Sequence, residues 1–191
     1  MSDKEPLSWF GALRRNDVPA IRKWIAEGAD IDAPIPLKPT DSKWPPLYVA
    51  ALGGKSEGVR VLLEAGADPN VLQALPDQPT EGYTYRFDSP LIAAAGHGSA
   101  EAVRLLLDAG ADIAYCGPIS DSALAEAIHL ADGKKFLDVI RLLLDRGCAA
   151  DYTPTGRSLL ISAAWNRNCR GIISELVKRG ADPNAIDQRW G

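Results

Sequence analysis

The fold turns on the stretch Leu105-Leu106-Leu107-Asp108-Ala109-Gly110-Ala111-Asp112. Its leucines face a core, and the glycine after them takes the left-handed conformation that closes a helix. The aspartate that follows favours a turn. Near copies stand at four other places: Trp24-Ile25-Ala26-Glu27-Gly28-Ala29-Asp30, Leu62-Leu63-Glu64-Ala65-Gly66-Ala67-Asp68-Pro69-Asn70, the degenerate Leu143-Leu144-Asp145-Arg146-Gly147-Cys148-Ala149, and Leu176-Val177-Lys178-Arg179-Gly180-Ala181-Asp182-Pro183-Asn184. Each reads as the end of a helix and its stop.

The closing glycines, Gly28, Gly66, Gly110, Gly147 and Gly180, are 38, 44, 37 and 33 residues apart. A second motif precedes each at a matching offset: Leu7 to Ala12, Pro45 to Ala50, Ser89 to Ala94 and Leu159 to Ala164, with Ser122 to Ala127 fitting once four residues are inserted after it. These stretches correspond to T-P-L-H-x-A, and a period near 33 goes with it. The chain therefore resembles the ankyrin-repeat family over roughly its whole length. The resemblance implies one all-α domain over residues 1–191, a solenoid of about five helix-turn-helix repeats with hairpin loops. The repeats fall at about 7–32, 45–70, 89–113, 120–150 and 159–184, with two long insertions at 33–44 and 71–88.

Within the repeats, Asp17 and Ser99 are placed to cap second helices, and Pro19 is tolerated in a first turn. Val18, Ile21, Trp24 and Ile25 form an apolar stripe at helical spacing. Trp9 and Trp24 read as core, and Arg14, Arg15, Arg22 and Lys23 as the polar outer face of a first repeat. Asp132-Gly133 is a turn signal that predicts a first helix one turn longer in repeat four, with Lys134 and Lys135 at the surface. Trp165 stands where repeats two and three have Ala51 and Ala95. A bulky residue there predicts that it closes the end of the stack, together with Trp190.

The two insertions differ in character. Residues 33–43 carry Pro34, Pro36 and Pro39 and read as extended and stiff. Trp44 follows them, either as a contact residue or packed under the loop. The stretch from Tyr83 to Asp88 alternates aromatic and polar residues, as a short strand with one aromatic face does. Tyr83, Tyr85 and Phe87 pack on the neighbouring loop, bind a partner, or do both.

Net charge is −4, which disfavours binding along nucleic acid. From Tyr152 onward six basic residues face three acidic ones, so this end carries +3 and the remainder −7. The three cysteines, Cys116, Cys148 and Cys169, lack Cys-x-x-Cys spacing. Neither a disulfide framework nor a zinc site is expected. Met1 to Pro6 is charged and carries no apolar signal region. No apolar run reaches the length of a membrane span, so a cytoplasmic protein is expected.

No phosphate loop, zinc-protease motif or nucleophile elbow is present. The two histidines, His97 and His129, fall in the inter-helix turns of different repeats, away from any serine that would complete a catalytic site. No catalytic residue, metal ligand or cofactor is expected. The competing reading, an enzyme or small-ligand protein on the same scaffold, requires a closed pocket around a histidine or cysteine.

In the resembled family the concave face, built of hairpin tips and first helices, usually binds other proteins. Rigid aromatics and arginines are the usual anchors of such interfaces. The expected contact residues are Trp44, Tyr83, Tyr85, Arg86, Phe87, His97, Arg157, Asn166 and Arg167. The expected partner is another protein bound by a monomer. Inhibition of that partner, for example as the immunity protein of a bacterial toxin, is one concrete form.

Overall fold

The computed structural model describes residues 9–36, 43–72, 89–117, 121–151, 156–166 and 169–184. Of the expectations above, those for Tyr83, Tyr85, Arg86, Phe87, Arg167 and Trp190 lie outside the described residues, as does the strand expected from Tyr83 to Asp88.

Ten helices are described. In order they are α1 (Trp9–Arg15), α2 (Val18–Ala26), α3 (Pro46–Leu52), α4 (Ser56–Glu64), α5 (Pro90–His97), α6 (Ala100–Asp108), α7 (Ala123–His129), α8 (Lys134–Asp145), α9 (Leu159–Ala164) and α10 (Cys169–Lys178). Each odd helix pairs with the even helix that follows it. Odd helices also pack on the odd helices of neighbouring pairs, and even helices on even ones. The result is an all-α solenoid of five helix pairs in two layers. Between α2 and α3, β1 (Ile35–Pro36) and β2 (Lys43–Trp44) form a short antiparallel ladder, with Ile35 opposite Trp44 and Pro36 opposite Lys43.

Local sequence explains where the helices start and stop. Ser89, Ser122 and Ser158 each accept a backbone N–H three residues on, at 3.3 Å in every case. These serines open α5, α7 and α9. Asp17 and Ser99 cap α2 and α6 in the same way. Such caps contribute about 1 kcal/mol each. The even helices end as their motif requires. The N–H of the residue after each closing glycine donates back to a leucine or tryptophan carbonyl, as Ala111 does to Leu106 (2.9 Å) and Ala67 to Leu62 (3.0 Å).

Burial supplies the cohesion between layers. Leu47, Leu62, Ile92, Leu106, Leu124, Ile128, Ile140 and Leu143 are almost fully removed from water. Ala50, Ala51, Ala94, Ala95 and Ala127 are fully buried, and their small size lets the odd helices approach closely. Each large side chain so buried contributes roughly 1.5–3 kcal/mol, which one helix pair alone has too few neighbours to collect.

Two polar ladders run along the stack. Across the even helices, Arg22 pairs with Glu64 (3.2 Å), Arg60 with Glu101 (3.0 Å), Asp108 with Arg146 (3.0 Å), Arg141 with Glu175 (3.2 Å) and Asp145 with Arg179 (2.5 Å). Across the hairpins, Asp32 accepts the Asp68 N–H (3.2 Å), Asn70 accepts the Asp112 N–H (2.7 Å) and Asp151 accepts the Asp182 N–H (2.7 Å). The remaining joint, between the third and fourth pairs, has Ala114 at the equivalent place, and alanine has no side-chain acceptor to offer.

Three expectations change. The extra turn of the fourth pair belongs to its second helix: α7 has 7 residues and α8 has 12. Phe136 is buried with Val139, Ile140 and Leu143, and burying it draws Lys134 and Lys135 into the helix. Arg22 does not lie on the polar outer face but reaches the second pair through Glu64. Trp165 closes nothing among the described residues, since it is 86% exposed. The register explains this. With Ser158 as the cap of α9, Trp165 matches Leu52 and Gly96 at the helix end, and Ala164 is the residue that matches Ala51 and Ala95.

Candidate protein-binding surface

The odd helices form the inner layer, and most of that layer is sealed. Pro46 to Ala51, Pro90 to Ala95 and Ala123 to Ile128 are all buried. What the inner layer offers a partner is therefore its two rims, where chain enters and leaves each odd helix.

Trp44 sits on the entry rim. Strand β2 places it two residues before α3, and its ring meets Tyr48 edge-on with centroids 5.5 Å apart. Tyr48 is buried and Trp44 half-buried. The indole is thus packed against Tyr48 and partly exposed.

Arg157 lies on the same rim, before α9. Its Nε is 3.4 Å from the Asp121 carboxylate, which is 8% exposed. That carboxylate also accepts the Ser122 N–H at 2.9 Å. Arg157 thereby ties the entrance of the fifth pair to that of the fourth.

His97 marks the opposite rim, as the last residue of α5. Its ring lies against the second pair so closely that a Cβ on Gly54 would fall 2.2 Å from His97 Cδ2. Lys135 Nζ donates to the His97 carbonyl (3.2 Å), and its stem runs over Gly98. Burial, then the ammonium groups of Lys135 and Lys55, hold the imidazole below its ordinary range; a hydrogen bond to the Leu52 backbone acts in the other sense. Burial and the ammonium charges both favour the neutral ring.

Asn166 is on this rim too, one residue after Trp165. Its Nδ2 donates to the Ile128 carbonyl (3.0 Å), satisfying the end of α7. This back-reach from one pair to the previous one is a signal that sequence reading missed, because it needs the register between repeats.

The four described candidates do not converge on one spot. Trp44 and Arg157 share the entry rim but sit three odd-helix steps apart, about 30 Å at usual packing distances. His97 and Asn166 share the turn rim. A seven-residue helix is about 10 Å long, and that length separates the rims. A surface this broad suits a macromolecule rather than a small ligand.

The enzyme reading asked for a histidine or cysteine in a pocket. A cleft described beside α8 and α10 is lined by Ala131, Gly133, Lys134, Leu137, Gly171 and Ile172, none of them a histidine or cysteine. Among the described residues no group of three or more His, Cys, Asp and Glu is arranged to hold a metal ion. Cys116 and Cys148 are not joined in a disulfide, and burial, then the neighbouring Cys116, pushes the pKa of the Cys148 thiol up to about 11. Among the same residues no helix is long and apolar enough to cross a membrane.

Comparison with known proteins agrees with this architecture. Over 60 residues the chain is 42% identical to a mitochondrial disaggregase of Bos taurus, a stretch covering 31% of this chain and 8% of that protein. The chain thus spans under a tenth of that relative's length. The family profile described as Ankyrin repeat matches residues 42–73, 87–117 and 155–188, just over half of the chain. The matched segments contain α3/α4, α5/α6 and α9/α10. The pairs α1/α2 and α7/α8 fall outside them, yet stack in the same way. With these matches carried on a stack of helix pairs, the chain belongs to the ankyrin-repeat family, whose repeats serve as protein-interaction modules.

Proposed function

We propose that this protein acts by binding another protein along the rims of its inner layer. Trp44 and His97 are the described anchors, joined by Tyr83, Tyr85, Arg86, Phe87 and Arg167. Arg157 and Asn166 contribute chiefly by holding neighbouring repeats in register. The observation that carries this reading is Trp44: a half-open indole, fixed edge-on against buried Tyr48, at the mouth of the stack. Such a ring has little rotamer freedom left to lose on binding, which favours affinity.

In this reading binding is itself the activity. A slab that covers a partner's working surface inhibits it without chemistry, as an immunity protein does to its toxin. The protein acts as a monomer in the cytosol. The experiment has two steps. The bound protein is identified by affinity capture and mass spectrometry, and its affinity is then measured calorimetrically. Trp44→Ala, and separately deletion of Pro76 to Tyr83 with Tyr85→Ala and Phe87→Ala, are each expected to weaken binding about tenfold or more. Unchanged affinity in both would overturn the proposal.

A further inference from the structure

Three side chains from three successive repeats meet on the turn rim, and each is seated on a glycine. The His97 ring lies on Gly54. The Lys55 stem runs over Gly53, where an added Cβ would meet its Cγ at 3.3 Å. The Lys135 stem runs over Gly98, where an added Cβ would meet its Cδ and Cε at 3.1 Å. Lys135 Nζ is fixed further by the His97 carbonyl at 3.2 Å and by the Phe136 ring, whose centroid is 4.8 Å away. Both ammonium groups act on the imidazole. The chain scatters these residues over positions 55, 97 and 135, and the stack gathers them into one patch.

The patch lacks the counter-charges found elsewhere. On the even helices Arg22, Arg60, Arg104, Arg141, Arg146 and Arg179 all lie against carboxylates. Among the described residues Lys55 and Lys135 form no such pair. The carboxylates in and just after the neighbouring turns are otherwise placed: Asp17 caps α2, Glu57 faces Arg60, and Asp132 pairs with neither lysine among the described residues. The first turn of α8 adds Lys134 and holds no carboxylate, although a helix start favours negative charge. Like charges held together by packing cost free energy until an anion joins them.

The donors narrow the choice of anion. The ring donates one N–H to the Leu52 backbone, so an incoming group meets the other nitrogen, which carries a proton only in the charged form. An ammonium has three N–H groups, and the His97 carbonyl takes one from Lys135. Two fixed positive charges and a third donor suit a dianion with three acceptor oxygens, which is what a phosphate monoester offers. A carboxylate brings one charge and two oxygens, and leaves half of the positive charge unanswered.

We propose that Lys55, His97 and Lys135 form a binding site for a phosphorylated serine or threonine of the partner protein. This rests on the reading that the molecule binds protein along its rims, and names what the partner presents at His97. The two ammonium groups neutralise the dianion, and the imidazole takes up a proton as it arrives.

His97 and His129 are the two histidines of the chain, so the His97 ring signals are identified by their loss in His97→Gln. The test follows these signals by NMR in the full chain near neutral pH, at fixed ionic strength. The probes are N-acetyl-phosphoserine amide, N-acetyl-glutamate amide and inorganic phosphate. The phosphoserine probe is expected to shift His97 saturably, with a dissociation constant below about 10 mM, and to raise the pH at which that ring titrates. His129, outside the patch, is the control and is expected to stay in place. The glutamate probe is expected to bind at least about fivefold more weakly. Lys55→Gln and Lys135→Gln are each expected to weaken the phosphoserine probe by about fivefold or more, with thermal melts close to the parent. The proposal is overturned by no saturation up to about 50 mM, by equal affinity for the phosphoserine and glutamate probes, by an equal shift of His129, or by indifference to both lysine substitutions. Inorganic phosphate binding more than about tenfold tighter than phosphoserine would assign the site to the free ion and overturn the assignment to a partner. If phosphoserine fails while a captured partner still loses affinity with Trp44→Ala, this site falls alone and the rim reading stands.

Discussion

At the scale of single residues, His97 and Gly54 form one unit. The ring is seated on a glycine whose φ is +62°, a conformation that side chains seldom adopt. Gly54→Ala adds both the backbone strain and the collision with the imidazole, and is expected to cost about 1–2 kcal/mol in urea unfolding. The imidazole also sets a pH dependence. Its folded pKa is lowered, so the unfolded chain takes up the proton first. The stability it confers is complete above the unfolded value of about 6.5, and declines as pH falls through that value toward the lower folded one. The urea midpoint is expected to drop on acidification below about pH 6.5, with a smaller drop in His97→Gln. An equal drop in both would assign the effect to other groups. Sequence placed His97 in the inter-helix turn, but nothing local to it pointed to Gly54, Lys55 or Lys135. Those neighbours come from the preceding and following repeats, some forty residues away in the chain.

At the scale of elements, the hairpin-to-hairpin bonds among the described residues run through side chains. Asn70 accepts from Asp112 N and donates to the Gly110 carbonyl at 3.1 Å, so Asn70→Ala removes two bonds and leaves two backbone groups to water. The expected loss is about 1–2 kcal/mol, measured by chemical denaturation, with no change in helix content by circular dichroism. By contrast Arg60→Ala, on the exposed ion-pair ladder, is expected to cost under about 1 kcal/mol. Helix ends were legible from sequence because a cap is a local event: Asp17 and Ser99 sit where the first free N–H groups of their helices fall. Two readings failed for want of register. Counting back from Gly180 put Trp165 at the small position, but the true reference is Ser158, and the offset in that repeat is one residue longer. The Asp132-Gly133 turn signal points to a longer α7, but the spacing of Phe136 with Val139, Ile140 and Leu143 extends α8 instead.

At the scale of the whole molecule, each repeat is stabilised chiefly by the two beside it. The last one has a described neighbour on one side only, and its Ile161, Ile173 and Val177 are the less buried for it. Amide hydrogen exchange is expected to reach α9 and α10 well before α5 and α6; simultaneous exchange of all helices would mean one cooperative unit instead. The overall stack was legible because five helix stops recurred at one phase, which no single motif could have shown. The joint between the third and fourth repeats has a mechanical consequence. On the turn side it is pinned, by Lys135 to the His97 carbonyl and by the lysine stem lying over Gly98. On the hairpin side Ala114 leaves the rung out. One side-chain rung fewer among the described hairpin residues means less to break when the third and fourth repeats tilt apart on that side, by about 1 kcal/mol per hydrogen bond.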